Sequence, residues 1–155
     1  MEITIRKGIK SDLPRVLGLI RELATYEKAP DEVTVTIEEL EKDGFGEHPV
    51  FNFFVAEKET IIGIALYYIK YSTWKGKCIF LEDLIVTEEF RKYGIGKKLF
   101  DEVVNVTKEM KAARLEWQVL EWNEPAIKFY KKLNSNFDKE WINCKLTGEQ
   151  IQNYK

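Results

Sequence analysis

The stretch Phe80–Val106, FLEDLIVTEEFRKYGIGKKLFDEVVNV, leaves this chain few ways to fold. Apolar side chains at 79, 80, 81, 84, 85 and 86 make a run of strand length that is greasy on both faces, as a central strand requires. Glu82 and Asp83 interrupt it. In a regular extended chain they point to opposite faces, and a desolvated carboxylate is costly unless a cation or a hydrogen-bond donor meets it. The turn Arg91-Lys92-Tyr93-Gly94-Ile95-Gly96 then removes side chains where backbone N–H groups open a helix, which suits an anion. Ile95, Leu99, Val103 and Val106 recur at helical spacing. A dinucleotide fingerprint would need a third glycine where Leu99 stands, and a P-loop needs another glycine spacing with Ser or Thr after its lysine, so both nucleotide motifs fail. Acid pair, anion turn and helix together suit an enzyme that brings a phosphate-bearing cofactor to an amine.

The bounds agree with one compact domain over residues 1–155: 45% hydrophobic and 32% charged is ordinary globular composition. A formal net charge of −2, with no long Lys/Arg block, argues against nucleic acid and fits a small cationic substrate better. Cys78 and Cys144 lie in apolar, strand-like segments without metal-ligand spacing; free buried thiols, no metal and a reducing cytoplasm are the expectation. No apolar run approaches the ~20 residues of a membrane span, and MEITIRKGIK lacks a signal-peptide core, so a soluble protein off the membrane is expected.

In chain order, Ile3 and Ile5 alternate with polar residues as a first short strand. Ser11 or Asp12 can cap a helix with Pro14 in its first turn, its apolar stripe running from Leu13 to Ala24 and its end near Glu27. Thr36 and Glu39 have capping-box spacing for a helix that stops at Asp43-Gly44. Residues 51–57 and 61–71 read as strands joined by a tight polar turn, and with the central strand they imply an antiparallel sheet. Leu115, Trp117 and Val119 alternate as a fifth strand, parallel to the central one because a helix connects them. Asn123-Glu124-Pro125 starts a further helix that Asn134 ends; strands at 136–140 and 141–146 and a short helical or loose tail should follow.

Single residues carry less. His48 stands alone in a loop, so acid–base work would fall to carboxylates, tyrosine or water. Tyr67, Tyr68, Tyr71 and Trp74 read as core and interface, with some rings able to meet an alkylammonium. Tyr130, on an inward helix face, reads on its own as core.

Arg91, Gly94 and Gly96 match the Q/R-x-x-G-x-G/A motif of the GNAT N-acetyltransferases, which this order of elements also resembles. The blocks RELATYEK, DGFGEHP, YSTWKGK, LED, RKYGIG and EWNEPAIKFYKKL resemble the diamine acetyltransferases, the spermidine/spermine group with its thialysine relatives, over most of the chain. The resemblance implies an α/β GNAT fold: a mostly antiparallel central sheet whose fourth and fifth strands are parallel, flanked by helices. It implies acetyl-CoA as cofactor, with backbone of Leu84, Ile85 and Val86 pairing with its pantetheine arm, residues Arg91, Lys92, Tyr93, Gly94, Ile95, Gly96 and Lys97 cradling its pyrophosphate, and Asn123 and Ala126 beside it. Tyr26, Glu27, Glu82, Asp83, Glu116, Trp117, Gln118 and Glu140 would line the amine site. Glu82 would deprotonate the amine, an N–H at a Leu84–Ile85 bulge would stabilise the oxyanion, and Tyr130 would protonate the departing thiolate. The acceptor implied is a polyamine or diamine, with thialysine or lysine as the alternative, and the assembly implied is a homodimer. A non-catalytic acyl-CoA sensor is the reading of another class. Lys92 stands where relatives commonly have glycine, Ala126 where some have serine, and the segment after Tyr130 is shorter than in the polyamine enzymes.

Overall fold

A computed structural model describes residues 2–155, in two compact units that divide after Gln118. The first unit is a five-stranded sheet in the order β1-β2-β3-β4-β5: β1 Thr4–Lys7, β2 Asn52–Glu57, β3 Ile61–Ser72, β4 Gly76–Val86 and β5 Arg114–Glu116. The first four strands pair antiparallel and β5 joins β4 in parallel, through the helix α3 at Ile95–Glu109. A strand, helix and parallel strand are the expected result when a crossover must return along the same sheet.

Alternation along β3 assigns the two faces. Ile64 and Leu66 join a buried cluster with Leu13, Val16 and Leu17 of helix α1, which spans Leu13–Tyr26. Gly63 alternates to the other face, where a Cβ would come within 2.9 Å of the Ile85 carbonyl oxygen and 3.1 Å of Leu99 in α3. Helix α2, Ile37–Phe45, packs on α1; the capping box of Thr36 and Glu39 forms as the spacing predicts, and the helix runs through Gly44 rather than stopping there. Tyr67 is buried, whereas Tyr71 and Trp74 at the β3–β4 hairpin are exposed. Among the described residues no helix is long and apolar enough to cross a membrane.

Helix α1 starts after Asp12, with Pro14 in its first turn, as expected, but the side chain at that N-cap position is used elsewhere. The Asp12 carboxylate makes no cap bond to α1: it accepts the Ile9 N–H (2.8 Å) and two hydrogen bonds from Arg6 (2.8 and 3.0 Å), closing a 3-10 turn at Lys10–Asp12. Arg6 also donates to Glu57, so β1, β2 and the entry to α1 share one guanidinium. These bonds, Arg6 foremost, hold the Asp12 carboxyl below the usual carboxylate range. Its stabilising contribution is present above the unfolded pKa and fades as pH falls through the folded one. Asp12→Ala leaves the Ile9 N–H and part of Arg6 unmatched; the expected loss is about 2–3 kcal/mol in urea unfolding at neutral pH.

The second unit holds helix α4, Glu124–Lys132, and the short α5, Gly148–Gln152. Asn134 takes the left-handed conformation predicted for it, with φ 59°. The strands expected at 136–140 and 141–146 are not formed: these residues are irregular and exposed. The fifth strand ends at Glu116, short of the expected Val119. Both cysteines are free, but only Cys78 is buried; Cys144 falls in the irregular segment and is exposed.

Candidate active site

The centre of the site is an irregularity in β4. Leu66 pairs with Asp83 and Tyr67 with Leu81, so Glu82 is an extra residue, a β-bulge. The register from Leu84 to Val86 is unbroken, which moves the bulge expected at Leu84–Ile85 two residues upstream. The extra residue also cancels the alternation that would have sent the two acids to opposite faces. Asp83 sits across from Leu66 on the α1 face, and Glu82 accepts the Tyr68 hydroxyl hydrogen (2.9 Å) on that same face.

Three carboxylates therefore meet at the end of α1. Burial pushes Asp83 up to about 7, and the charges of Glu82 and Glu27 add to the shift. Glu27, at the end of α1, is also raised, by desolvation. The Tyr68 hydroxyl is pushed up to about 12 by burial and by its bond to Glu82, so it stays a donor to that carboxylate. Glu116 stands differently: Lys70 Nζ and Arg114 Nε lie 3.6 and 3.8 Å from its oxygens, so cations already face it. Trp117 packs edge-on against Phe100 of α3, with centroids 5.2 Å apart, and Gln118 is exposed at the end of the first unit.

Beside the acids a cleft of about 520 Å³ is lined by Arg21 and Tyr26 from α1, Ile85 and Val86 from β4, and Glu88 and Arg91. Arg91 donates to the Val86 carbonyl (3.1 Å) and lies 5.2 Å from the Tyr26 ring centroid, tying α1 to the end of β4. Pairing between β4 and β5 covers only Cys78–Phe80, so Leu84, Ile85 and Val86 have no strand partner on their β5 side. Their backbone on that edge can meet an extended polar ligand, as a missing strand would.

At the opening of α3, Lys92 and Gly94 both have positive φ (72° and 75°), and no side chain caps the helix. A Cβ on Gly94 would meet nothing within 4 Å, so glycine is there for its backbone conformation, not for want of room. Tyr93 is exposed, Ile95 is buried, Gly96 exposes backbone, and Lys97 pairs with Asp101 one turn on. Uncapped N–H groups at the head of a fifteen-residue helix, flanked by Arg91 and Lys92, fit a pyrophosphate. Gly94→Val is expected to raise the KM for the acetyl donor at least ~10-fold and to leave that for the amine nearly unchanged, since a β-branched residue disfavours this φ.

In the second unit Asn123 caps α4, its Oδ1 accepting the Ala126 N–H at 3.4 Å, so these two expected cofactor residues share one helix end. Tyr130 is buried on α4, and its carbonyl accepts the Ser135 hydroxyl hydrogen (2.8 Å). Glu140 is exposed, its N–H donating to Asp138. The bulge is what residue spacing missed: Glu-Asp inside an apolar strand signals acids that need partners but not which face receives them, and of the two Glu82 stays exposed while Asp83 is half-buried.

A mixed sheet with a parallel β4–β5 pair, an interrupted β4 edge and an anion turn is the architecture of an acyl-CoA-dependent transferase. Residues 15–134 match the acetyltransferase (GNAT) family, and the chain belongs to it: it is an N-acetyltransferase, and the acetyl donor of this family is acetyl-CoA. Among its relatives is the thialysine N-epsilon-acetyltransferase of Bos taurus, 41% identical over 97% of this chain and 95% of that one. The spermidine/spermine N(1)-acetyltransferase-like protein 1 of Homo sapiens is 32% identical over 95% of this chain and 23% of its own length. Similar solved folds include an integron cassette protein from the mobile metagenome of V. cholerae, with TM-score 0.80, 23% identity and coverage of 98% and 96% of the two chains. An aminoglycoside N-acetyltransferase in complex with CoA has TM-score 0.75 and 20% identity, with coverage of 94% and 95%.

Proposed function

We propose that this chain acetylates the terminal primary amine of a small, flexible aliphatic amine. The observation that carries the reading is the set of Glu27, Glu82 and Asp83, gathered on one face by the bulge and by the end of α1. Such a set attracts an ammonium and lowers its cost of desolvation. A thialysine-like or lysine-like amino acid is favoured as acceptor by the relatives named thialysine N-epsilon-acetyltransferase, which match at 32–41% identity. A spermidine- or spermine-like polyamine is the second reading, and the three clustered acids favour it, because a polyamine brings a second ammonium for them to hold.

Acetyl-CoA supplies the acetyl group already activated as a thioester. The amine arrives protonated, with a pKa of roughly 10, so it must lose a proton before it attacks. Glu27 and Glu82 hold the ammonium, and the Glu82–Asp83 pair accepts the proton; of the two, Asp83, near 7, is matched to that transfer at neutral pH. Backbone at Leu84 to Val86 and the turn from Arg91 to Lys97 bind the donor, with Asn123 and Ala126 assigned beside it. Tyr130 protonates the departing thiolate, and Tyr26, Glu116, Trp117, Gln118 and Glu140 complete the residues assigned to the amine. Residues 1–155 act as one catalytic domain, a reading supported by a family match that crosses the boundary between the two units. The working form is a homodimer, and the two free thiols support a cytoplasmic setting.

The test is CoA thiol release from acetyl-CoA with thialysine, lysine, spermidine, spermine and putrescine in parallel. Release with thialysine or lysine alone supports the first reading. Release with spermidine or spermine selects the second, and silence with every amine overturns both.

A further inference from the structure

Glu82 is exposed, yet its direction is fixed. Its carboxylate accepts the Tyr68 hydroxyl hydrogen at 2.9 Å, and among the described residues no lysine or arginine pairs with it. The other acids tied to a strand differ: Asp12 and Glu57 meet Arg6, and Glu116 faces Lys70 and Arg114. A cation neutralises the carboxylate that it orients. A phenol orients the carboxylate and leaves its charge for another group.

The need for such a partner follows from the bulge. Leu66 faces Asp83 and Tyr67 faces Leu81, so no β3 residue stands directly across from Glu82 to pack beside it. A glutamate side chain spreads over many rotamers when nothing holds it. Tyr68, paired with Phe80, is its diagonal neighbour, at a spacing that an aromatic and a long side chain can bridge. The ring is itself anchored. It stacks on Phe80 with centroids 5.4 Å apart and packs against the buried cluster that includes α1, while Lys70 Nζ lies 5.4 Å from the centre of the Phe80 ring. The hydroxyl, pushed up to about 12 by burial and by the acids beside it, keeps its proton through the neutral range and stays a donor.

We propose that Tyr68 is a positioning residue for the acceptor amine: its hydroxyl holds the Glu82 carboxylate beside Asp83 and Glu27, so that the three acids meet one ammonium. This rests on the reading of Glu82 as an anchor and names the group that aims it. No proton passes through the phenol, so its loss should act on amine binding and not on the chemical step.

Steady-state kinetics on the full chain, with thialysine as acceptor or spermidine if thialysine is silent, test the proposal through a double-substitution cycle. Tyr68→Phe keeps the ring on Phe80 and removes one oxygen. KM for the amine is expected to rise about 10-fold, the worth of one hydrogen bond to a charged group, with kcat and acetyl-CoA affinity within about twofold of native. Glu82→Gln removes the charge that Tyr68 aims, so adding Tyr68→Phe to it should raise KM by less than about twofold more. A ring that only packs would show its whole effect in either background. Full additivity, a native KM in Tyr68→Phe where Glu82→Gln is impaired, or a defect confined to kcat overturns the positioning role and leaves Glu82 as the anchor. A native KM in Glu82→Gln overturns the anchor and the positioning role together.

Discussion

Asp83→Asn is expected to lower kcat/KM for the amine at least ~100-fold while the affinity for acetyl-CoA stays within about twofold. Its carboxyl is partly buried, next to Glu82 and Glu27, and pushed up to about 7. As a proton acceptor it must be ionised, so the native kcat/KM should climb with pH and bend near 7. In the variant that limb disappears, leaving only the rise caused by titration of the free amine. Stability should move the other way. The folded pKa lies above the unfolded one, so between about 4 and 7 the native state binds more protons, and stability is lost as pH rises through that window. Asparagine removes the titration, so Asp83→Asn should unfold at a higher temperature than the native chain at pH 8, with the gap closing toward pH 4. Glu82→Gln separates the two acids: a raised KM for the amine with the bend near 7 retained identifies Glu82 as the anchor. A native profile without the bend, or an active Asp83→Asn, would remove Asp83 from the proton path.

The bend is expected there because of a feature that residue patterns carry poorly. The apolar run at 79–86 announces a central strand, and the strand is found; its polar interruption announces a site, and the acids cluster. What spacing does not encode is the pleat. A single inserted residue reverses the face of everything after it, and whether Glu82 is in register or bulged depends on how Leu66 and Tyr67 of β3 meet β4. Helix ends were legible for the opposite reason. Thr36 with Glu39, and Asn123 with Ala126, act within one turn, so local sequence suffices to place them. Asp12 has the same local credentials but is claimed by Arg6 on β1, and the tertiary partner wins because a two-pronged charged pair outweighs a single cap bond.

The C-terminal segment shows the limit of pattern in another way. Ile142, Cys144 and Leu146 alternate as a strand should, and the structure forms no strand there. Alternation records a two-residue period; it is silent on whether a neighbouring strand is there to pair with it. Around β5, likewise, the apolar alternation of Leu115, Trp117 and Val119 runs on past Glu116, where strand pairing ends.

Tyr130→Phe is expected to lower kcat about 100-fold or more at pH 7, with little change in acetyl-CoA affinity or melting temperature, because only one oxygen is removed from a buried ring. A smaller kcat alone would not separate a proton donor from a residue that merely fills space. The pH dependence does. A thiol of pKa roughly 8.5 leaves readily as the anion once the medium is more alkaline than that, whereas below it the leaving sulfur gains most from a proton. If the hydroxyl of Tyr130 is the donor, the defect should be largest near pH 6–7 and shrink steadily toward pH 9 and above. If the ring only positions α4, the ratio of native to variant kcat should stay flat across that range. A flat ratio, or a variant with native kcat at pH 7, would hand the proton to water and take Tyr130 out of the chemistry.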